Sequence, residues 1–380
     1  MDYSALHQNY KENSIQGRYL TLSHIEPLLA QYKNEVVGQS VLGKPIYQLS
    51  FGTGKTKIFM WSQMHGNEST TTKALFDFIR FLNSGTVESQ AILTSFTFCL
   101  LPMVNPDGAE AYTRENANGV DLNRDAQNLT QPESVVLRQV FETFQPHYCY
   151  NLHDQRTIYG AGDTGNPATV SFLAPAYNES RDMNEVRQKA INVIVAMNNC
   201  LQQVIPNQVG RFDDSFNINC IGDTFQFLKV PTVLFEAGHF QEDYEREQTR
   251  KYIFTALLSG INYLNENDVV SNKIDDYLKI PQNKVVFYDF VYKNVKINYD
   301  GKEKIINFAA QYKEVLNNNK VVFEAQIVQI DDLENHFGHF TIDAQGESYL
   351  DETKSFPNIE QKADFYLGKN IKIVNGLINN

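Results

Sequence analysis

The sequence predicts an α/β fold: a mixed, mostly parallel sheet flanked by helices, followed by a small β-rich C-terminal domain. Three observations predict it. Short apolar runs rich in aromatic and β-branched residues alternate with runs of helical periodicity from about residue 57 to 265. Several of the strand-like runs end on polar residues that chemistry can use, as the strands of open α/β sheets do. Near residue 270 the texture then changes to long β-type alternation.

Residues 1–35 read as a helical lead-in, with helical spacing in Thr21-Leu22-Ser23-His24-Ile25-Glu26-Pro27-Leu28-Leu29. Val41 to Phe51 suggests a hairpin or paired strands. Strands over 57–63, 94–103, 147–152 and 230–236 then alternate with helices over 69–83, 132–143, 182–205 and 242–265. Asp154 to Tyr177 carries Gly160, Gly162, Gly165 and Pro167, and reads as one long loop beside a site. The polar run Asn265-Glu266-Asn267-Asp268 marks a break, so residues 1–270 are expected as one domain and 271–380 as another. Val285 to Tyr292, Val295 to Tyr299 and Val321 to Val328 supply the second domain's strands, with a turn at Asp300-Gly301.

Met64-His65-Gly66-Asn67-Glu68 stands between a buried strand and a helix start, so His65 lies at a strand end and Glu68 at a helix mouth. The spacing lets an imidazole and a carboxylate converge on one ion, and Gly66 keeps a Cβ out of the turn. His153 ends the run Tyr148-Cys149-Tyr150-Asn151-Leu152, and Glu236 ends Val230-Pro231-Thr232-Val233-Leu234-Phe235. Taken singly, His153 is a core histidine and Glu236 a capping or ion-paired carboxylate. Together they make two histidines, one glutamate and a spare base, which is a catalytic zinc set. His336-Phe337-Gly338-His339 could bind a metal, but its spacing lacks partners and it reads rather as a loop with exposed histidines.

In order, His65-x-x-Glu68, Asn105-Pro106-Asp107-Gly108, Arg114, Gly119-Val120-Asp121-Leu122-Asn123-Arg124, His153 and Glu236 resemble the zinc carboxypeptidases of the carboxypeptidase A type. The resemblance runs over about residues 40 to 265. It implies that family's fold, one Zn2+ per chain on His65, Glu68 and His153, and Glu236 as general base. It also implies that Arg114, Asn123 and Arg124 grip a substrate carboxylate, a task suited to guanidinium forks, with Arg114 reaching the scissile carbonyl oxygen. Without the zinc residues, Arg114 reads as a solvated loop arginine and Arg124 as the partner of Asp121 or Asp125.

The departures point to a divergent, bacterial-looking branch with an added C-terminal domain. Asn67 stands where the family carries an arginine, remaking one substrate contact. Gly210 to Asn217 holds no tyrosine where the family has a mobile one, and Ala237-Gly238-His239 follows the base. A count along the chain puts Ile221 near the pocket base, favouring an apolar or aromatic terminal residue. Arg211, Asp213 and Asp214 equally suit a polar one. The expected activity is hydrolysis of a C-terminal peptide bond. A deacylase or amidase acting on a small N-acyl amino acid, or a non-catalytic peptide binder on the same scaffold, are the alternatives. The substrate expected is thus a peptide or small acyl-amino acid with a free carboxylate.

Composition narrows the partners. The net charge of −12 and pI near 5.2 exclude nucleic-acid and anionic-membrane binding, both of which need clustered Lys and Arg. The N-terminal residues lack the pattern of a signal peptide and no run reaches the length of a membrane span, so a chain complete as given is expected in the cytoplasm. Cys99, Cys149, Cys200 and Cys220 are too scattered for a disulfide framework or a Cys-based zinc site.

Overall fold

The computed structural model describes residues 2–267 and 270–379; Asp268, last of the polar run expected at the domain break, lies outside them. The chain divides into two compact units. One comprises Met1–Gln155 with Ala168–Asn283, and the other Arg156–Pro167 with Lys284–Asn380.

The first unit is built on eight strands: β1 Asn34–Gln39, β2 Pro45–Phe51, β3 Thr56–Ser62, β4 Phe96–Leu101, β5 Tyr148–Asp154, β6 Val170–Leu173, β7 Val209–Arg211 and β8 Thr232–Ala237. Their order across the sheet is β1-β2-β4-β3-β5-β8-β6-β7. The central four, β4, β3, β5 and β8, run parallel. β2 and β6 join them antiparallel on either side. Side chains along β3 alternate between two cores: Ile58 and Met60 pack in one, Phe59 and Trp61 in the other. A strand buried on both faces must be covered by helices twice. Helices Thr70–Leu82, Glu185–Leu201 and Glu247–Glu266 supply one layer, and Pro132–Phe144 and Ile221–Phe227 contribute to the other.

Several boundaries differ from expectation for local reasons. Residues Val87–Ser95, of which the last two are read from the sequence as the start of a strand and the rest are unassigned, form a helix started by Thr86, whose hydroxyl accepts from the Ser89 N–H at 3.2 Å; their apolar residues show no clear one-sided pattern. The stretch read as one loop holds β6, a fully buried four-residue strand too short to show alternation. Asp243 stops the last long helix from beginning at 242, because its carboxylate takes the N–H groups of Glu247, Gln248 and Thr249. No described helix is long and apolar enough to cross a membrane, and all four cysteines are free thiols.

The N-terminal segment is fastened by a buried ion pair. Arg250 donates to both Asp77 oxygens at 2.7 and 2.5 Å, and both side chains are fully buried. Asp77 also meets His7 Nε2 at 3.0 Å and the Glu12 N–H at 2.7 Å, while Arg250 donates to the Ile15 and Glu12 carbonyls. Removing one partner leaves an uncompensated buried charge, so Asp77→Asn is expected to cost about 3–5 kcal/mol, read as a lower urea midpoint.

In the second unit, one four-stranded sheet runs Lys320–Ile330, Lys302–Asn317, Phe287–Tyr299, Phe337–Asp343 in spatial order, and a smaller one is a meander of four short strands from Tyr349 to Ile378. Phe290, Tyr292, Phe308, Tyr349 and Phe365 form its core. The C-terminal region is β-rich, as its alternation predicts. Thr157 belongs to this unit, receiving Gln311 Nε2 at 2.6 Å, with its carbonyl 2.8 Å from His339 Nε2. His339 stacks on Phe287, and His336 meets the Tyr288 ring at a tilt of 38°. The two histidines join no metal-competent cluster among the described residues.

Candidate metal centre and active site

The C-terminal ends of β3, β5 and β8 bring the site together. After β3 the chain turns through Gln63, whose φ is +50° and whose side-chain amide donates to the Leu20 and Gly66 carbonyls at 2.8 Å. Gly66 is required by close approach: a Cβ there would lie 1.9 Å from the Gly108 carbonyl carbon. Asn105 holds this turn from the far side, donating to the Met64 carbonyl at 3.2 Å while its Oδ1 accepts from the Gly108 N–H at 2.9 Å. The Asn-Pro-Asp-Gly run thus clamps the loop that carries His65.

His65, Glu68 and His153 are all buried and form the one cluster of metal-ligating side chains among the described residues. His65 Nδ1 lies 2.8 Å from Glu68 Oε1, His153 Nδ1 lies 2.9 Å from Glu68 Oε2, and the two Nδ1 atoms are 3.1 Å apart. Bonds of about 2.0–2.1 Å in a tetrahedral shell give ligand-to-ligand edges of about 3.3 Å, so these donors are spaced for one zinc ion. Two imidazole nitrogens and a carboxylate facing one another are all acceptors unless protonated, and burial makes a cation at their centre the natural means of satisfying them. His65 Nε2 sits 3.1 Å from Asp121 Oδ1, which directs its proton outward and leaves the Nδ1 lone pair for the centre. The residues fit the metal.

Charge follows the same geometry. Burial alone would raise Glu68, but His65 and His153 reverse it and hold the carboxyl far below the ordinary range. Burial pulls His65 down and Glu68 with Asp121 more than restores it, for a net rise; in His153 burial wins and the net is downward. Glu68 also accepts the Asp154 N–H at 3.1 Å, and Asp154 takes the Thr70 and Thr71 N–H groups that open the following helix.

Glu236 lies beside His153 as its register partner on the adjacent parallel strand. It is 9% exposed, and burial first, then Glu68 and Asp154, push its pKa well above the ordinary carboxylate value. Arg114 reaches in from its loop, donating Nε to Asp121 at 3.1 Å and Nη1 to Glu68 at 3.3 Å, with its side chain 41% exposed. Arg124 is exposed and pairs with neither Asp121 nor Asp125; its Nη1 meets the Asn123 carbonyl at 2.7 Å and Cys220 Sγ at 3.2 Å. Asn123 Oδ1 accepts the Ile221 N–H at 2.9 Å.

The remaining candidates are placed differently. Ile221 is 2% exposed and packs in the core with Trp61 and Phe225. Asn67 donates its N–H to the Thr113 carbonyl, while its Oδ1 is buried without a partner among the described residues. Asp214 is engaged by Arg187 at 2.6 Å and Arg181 at 3.3 Å, Asp213 by Gln282, and Arg211 lies over the Tyr277 ring. The sequence offers Asp121 only as an ion-pair partner for Arg124. Its position two residues before Asn123, in a run already singled out, was the available signal for its contact with His65.

Residues 22–157 match the zinc carboxypeptidase model of peptidase family M14. Over that stretch the chain is similar to a zinc carboxypeptidase domain. The chain is also similar to carboxypeptidase E of Caenorhabditis elegans, 28% identical over 151 residues, a stretch covering 32% of each chain. It is also similar to gamma-D-glutamyl-L-diamino acid endopeptidase 1 of Lysinibacillus sphaericus, 24% identical over 229 residues, covering 45% of this chain and 57% of that protein. The matched part is thus about a third of the nematode protein's length. The zinc carboxypeptidase fold recurs in carboxypeptidase A of Helicoverpa armigera, with a TM-score of 0.50, 15% identity and coverage of 70% of this chain and 80% of that one. It recurs again in bovine thrombin-activatable fibrinolysis inhibitor, with a TM-score of 0.51, 14% identity and coverage of 68% and 99%.

Proposed function

We propose that this protein is a zinc exopeptidase that hydrolyses the C-terminal bond of a peptide. The observation that carries the reading is the convergence of His65, Glu68 and His153 within about one tetrahedral shell, with Glu236 in register beside His153. When bound there, zinc lowers the pKa of a coordinated water toward about 7 and polarises the scissile carbonyl.

The chain's own groups do the rest. Glu236 takes the proton of the attacking water and delivers it to the departing amine, and the upward shift of its pKa gives it the basicity this needs. Arg114 stabilises the negative charge that grows on the carbonyl oxygen. Arg124, exposed on its short turn, pairs with the substrate's terminal carboxylate. Asn123 assists: with Oδ1 taken by the Ile221 N–H, the donor end of its amide remains for the same carboxylate.

Arg124→Ala is therefore expected to raise KM about 100-fold, the ~3 kcal/mol of a charge-assisted pair, with a much smaller change in kcat. Steady-state kinetics on a peptide and on its C-terminal amide test this. The native protein should ignore the amide, and equal cleavage of both would remove the carboxylate clamp from the account.

A second reading, cleavage of an amide in a non-standard peptide, is supported by the match over 229 residues to a protein named as a gamma-D-glutamyl-L-diamino acid endopeptidase. The absence of tyrosine from Gly210 to Asn217 supports it as well. Dependence of turnover on peptide length and on α- versus γ-linkage separates the two readings.

A further inference from the structure

Arg246 stands just before helix Glu247–Glu266 with a left-handed backbone, φ +60° and ψ +27°, a conformation that non-glycine residues adopt at a cost of about 1–2 kcal/mol. It is 1% exposed. A side chain of this size and charge is seldom buried unless its donors are used. Here the guanidinium spans two strand ends. Nη1 donates to the Ala237 carbonyl at 2.7 Å and also to the Gly238 carbonyl, and Nη2 donates to the Gln155 carbonyl at 3.0 Å.

Those three carbonyls lie one or two residues beyond Glu236 and His153. The ladder between β5 and β8 pairs His153 with Glu236 and then Asp154 with Ala237, where it ends. Beyond that point the Gln155 N–H to Ala237 carbonyl bond, at 2.9 Å, continues it, and Arg246 closes it from the side. Neighbouring groups make the same junction tight. Gln155 Nε2 donates to the Ala168 carbonyl at 2.7 Å and to Ser171 Oγ at 3.0 Å, and the Gly238 N–H donates to the Thr169 carbonyl at 2.8 Å. A Cβ on Gly238 would lie 2.0 Å from the Ala168 carbonyl oxygen and 2.6 Å from Gln155 Nε2, so the chain passes there only as glycine.

We infer that Arg246 is a positioning residue for hydrolysis: its guanidinium fastens the ends of β5 and β8 and so sets the separation of His153 from Glu236. The inference rests on the proposed function, in which one of that pair holds the metal and the other moves the proton. A lysine reaches fewer carbonyls and lacks the planar fork, so the strand ends gain freedom while the charge stays. Misplacement of a catalytic pair by about 1 Å costs roughly 100-fold in rate.

The test is Arg246→Lys, with Arg246→Gln as a second variant that keeps amide donors without charge. Expected are a kcat lowered about 100-fold, a KM within about threefold of native and full zinc content. Hydrogen exchange at the Gln155 and Gly238 amides should be faster, and the visible spectrum altered when cobalt(II) replaces zinc. A purely structural residue would lower the melting temperature and leave kcat per zinc-loaded molecule unchanged, and that result overturns the proposal. Should the native protein cleave nothing, the proposed function falls; exchange and the cobalt spectrum then decide the role of Arg246 alone, and native-like values of both overturn it.

Discussion

Glu236→Gln is expected to lower kcat by about 10³-fold or more while zinc remains bound with native stoichiometry. General base catalysis by a positioned side chain is worth roughly 10²–10⁴, and the substitution removes the proton acceptor without touching a ligand. The amide is close in size to the carboxylate and relieves a buried charge that Glu68 and Asp154 oppose. The folded protein should therefore keep or slightly gain stability. Zinc analysis alongside steady-state kinetics checks it, and a variant with near-native kcat would remove Glu236 from the chemistry.

Removal of the metal should have an equally large effect by another route. Stripping zinc with a chelator is expected to abolish hydrolysis, with recovery on adding one equivalent back. It should also lower the melting temperature by roughly 5–10 °C, the size expected when a ligand at about a thousand times its Kd is withdrawn from a domain of this length. The cause is local. Without a cation the three converging donors at 2.8–3.1 Å must be held by protons alone, in a site where all three side chains are buried. His153→Ala should lose metal and activity together. Calorimetry with and without chelator is the check, and full activity in the metal-free protein would contradict the account.

How much of this was legible in the sequence depends on distance along the chain. His65, Glu68, His153 and Glu236 could be picked out because each follows an apolar run that reads as a core strand, and parallel strands deliver their C-terminal ends to one edge. The alternation of strands and helices was equally visible, since β3 and β5 are buried on both faces and their runs are correspondingly apolar. Contacts that depend on loops were not. Nothing local in Asp121 announces that it meets His65 rather than Arg124. Nor does Arg246, lying in the acidic stretch Glu242-Asp243-Tyr244-Glu245, show that it reaches carbonyls beyond two strands. Ile221, placed by counting near a pocket base, lies in a core because the helix it opens packs on Trp61 through Phe225. The segment 156–167, read as part of one loop, belongs to the second unit through Thr157, a partition that only tertiary pairing reveals.

On the proposed reading, His65, Glu68, His153 and Glu236 together remove a residue from the carboxyl end of a peptide. Mass spectrometry of a diverse peptide library, incubated with zinc-loaded native protein and in parallel with zinc-loaded Glu236→Gln, tests it most directly. Loss of single C-terminal residues with the native protein alone is the predicted result. A library left intact by both, or trimmed equally by both, would contradict it.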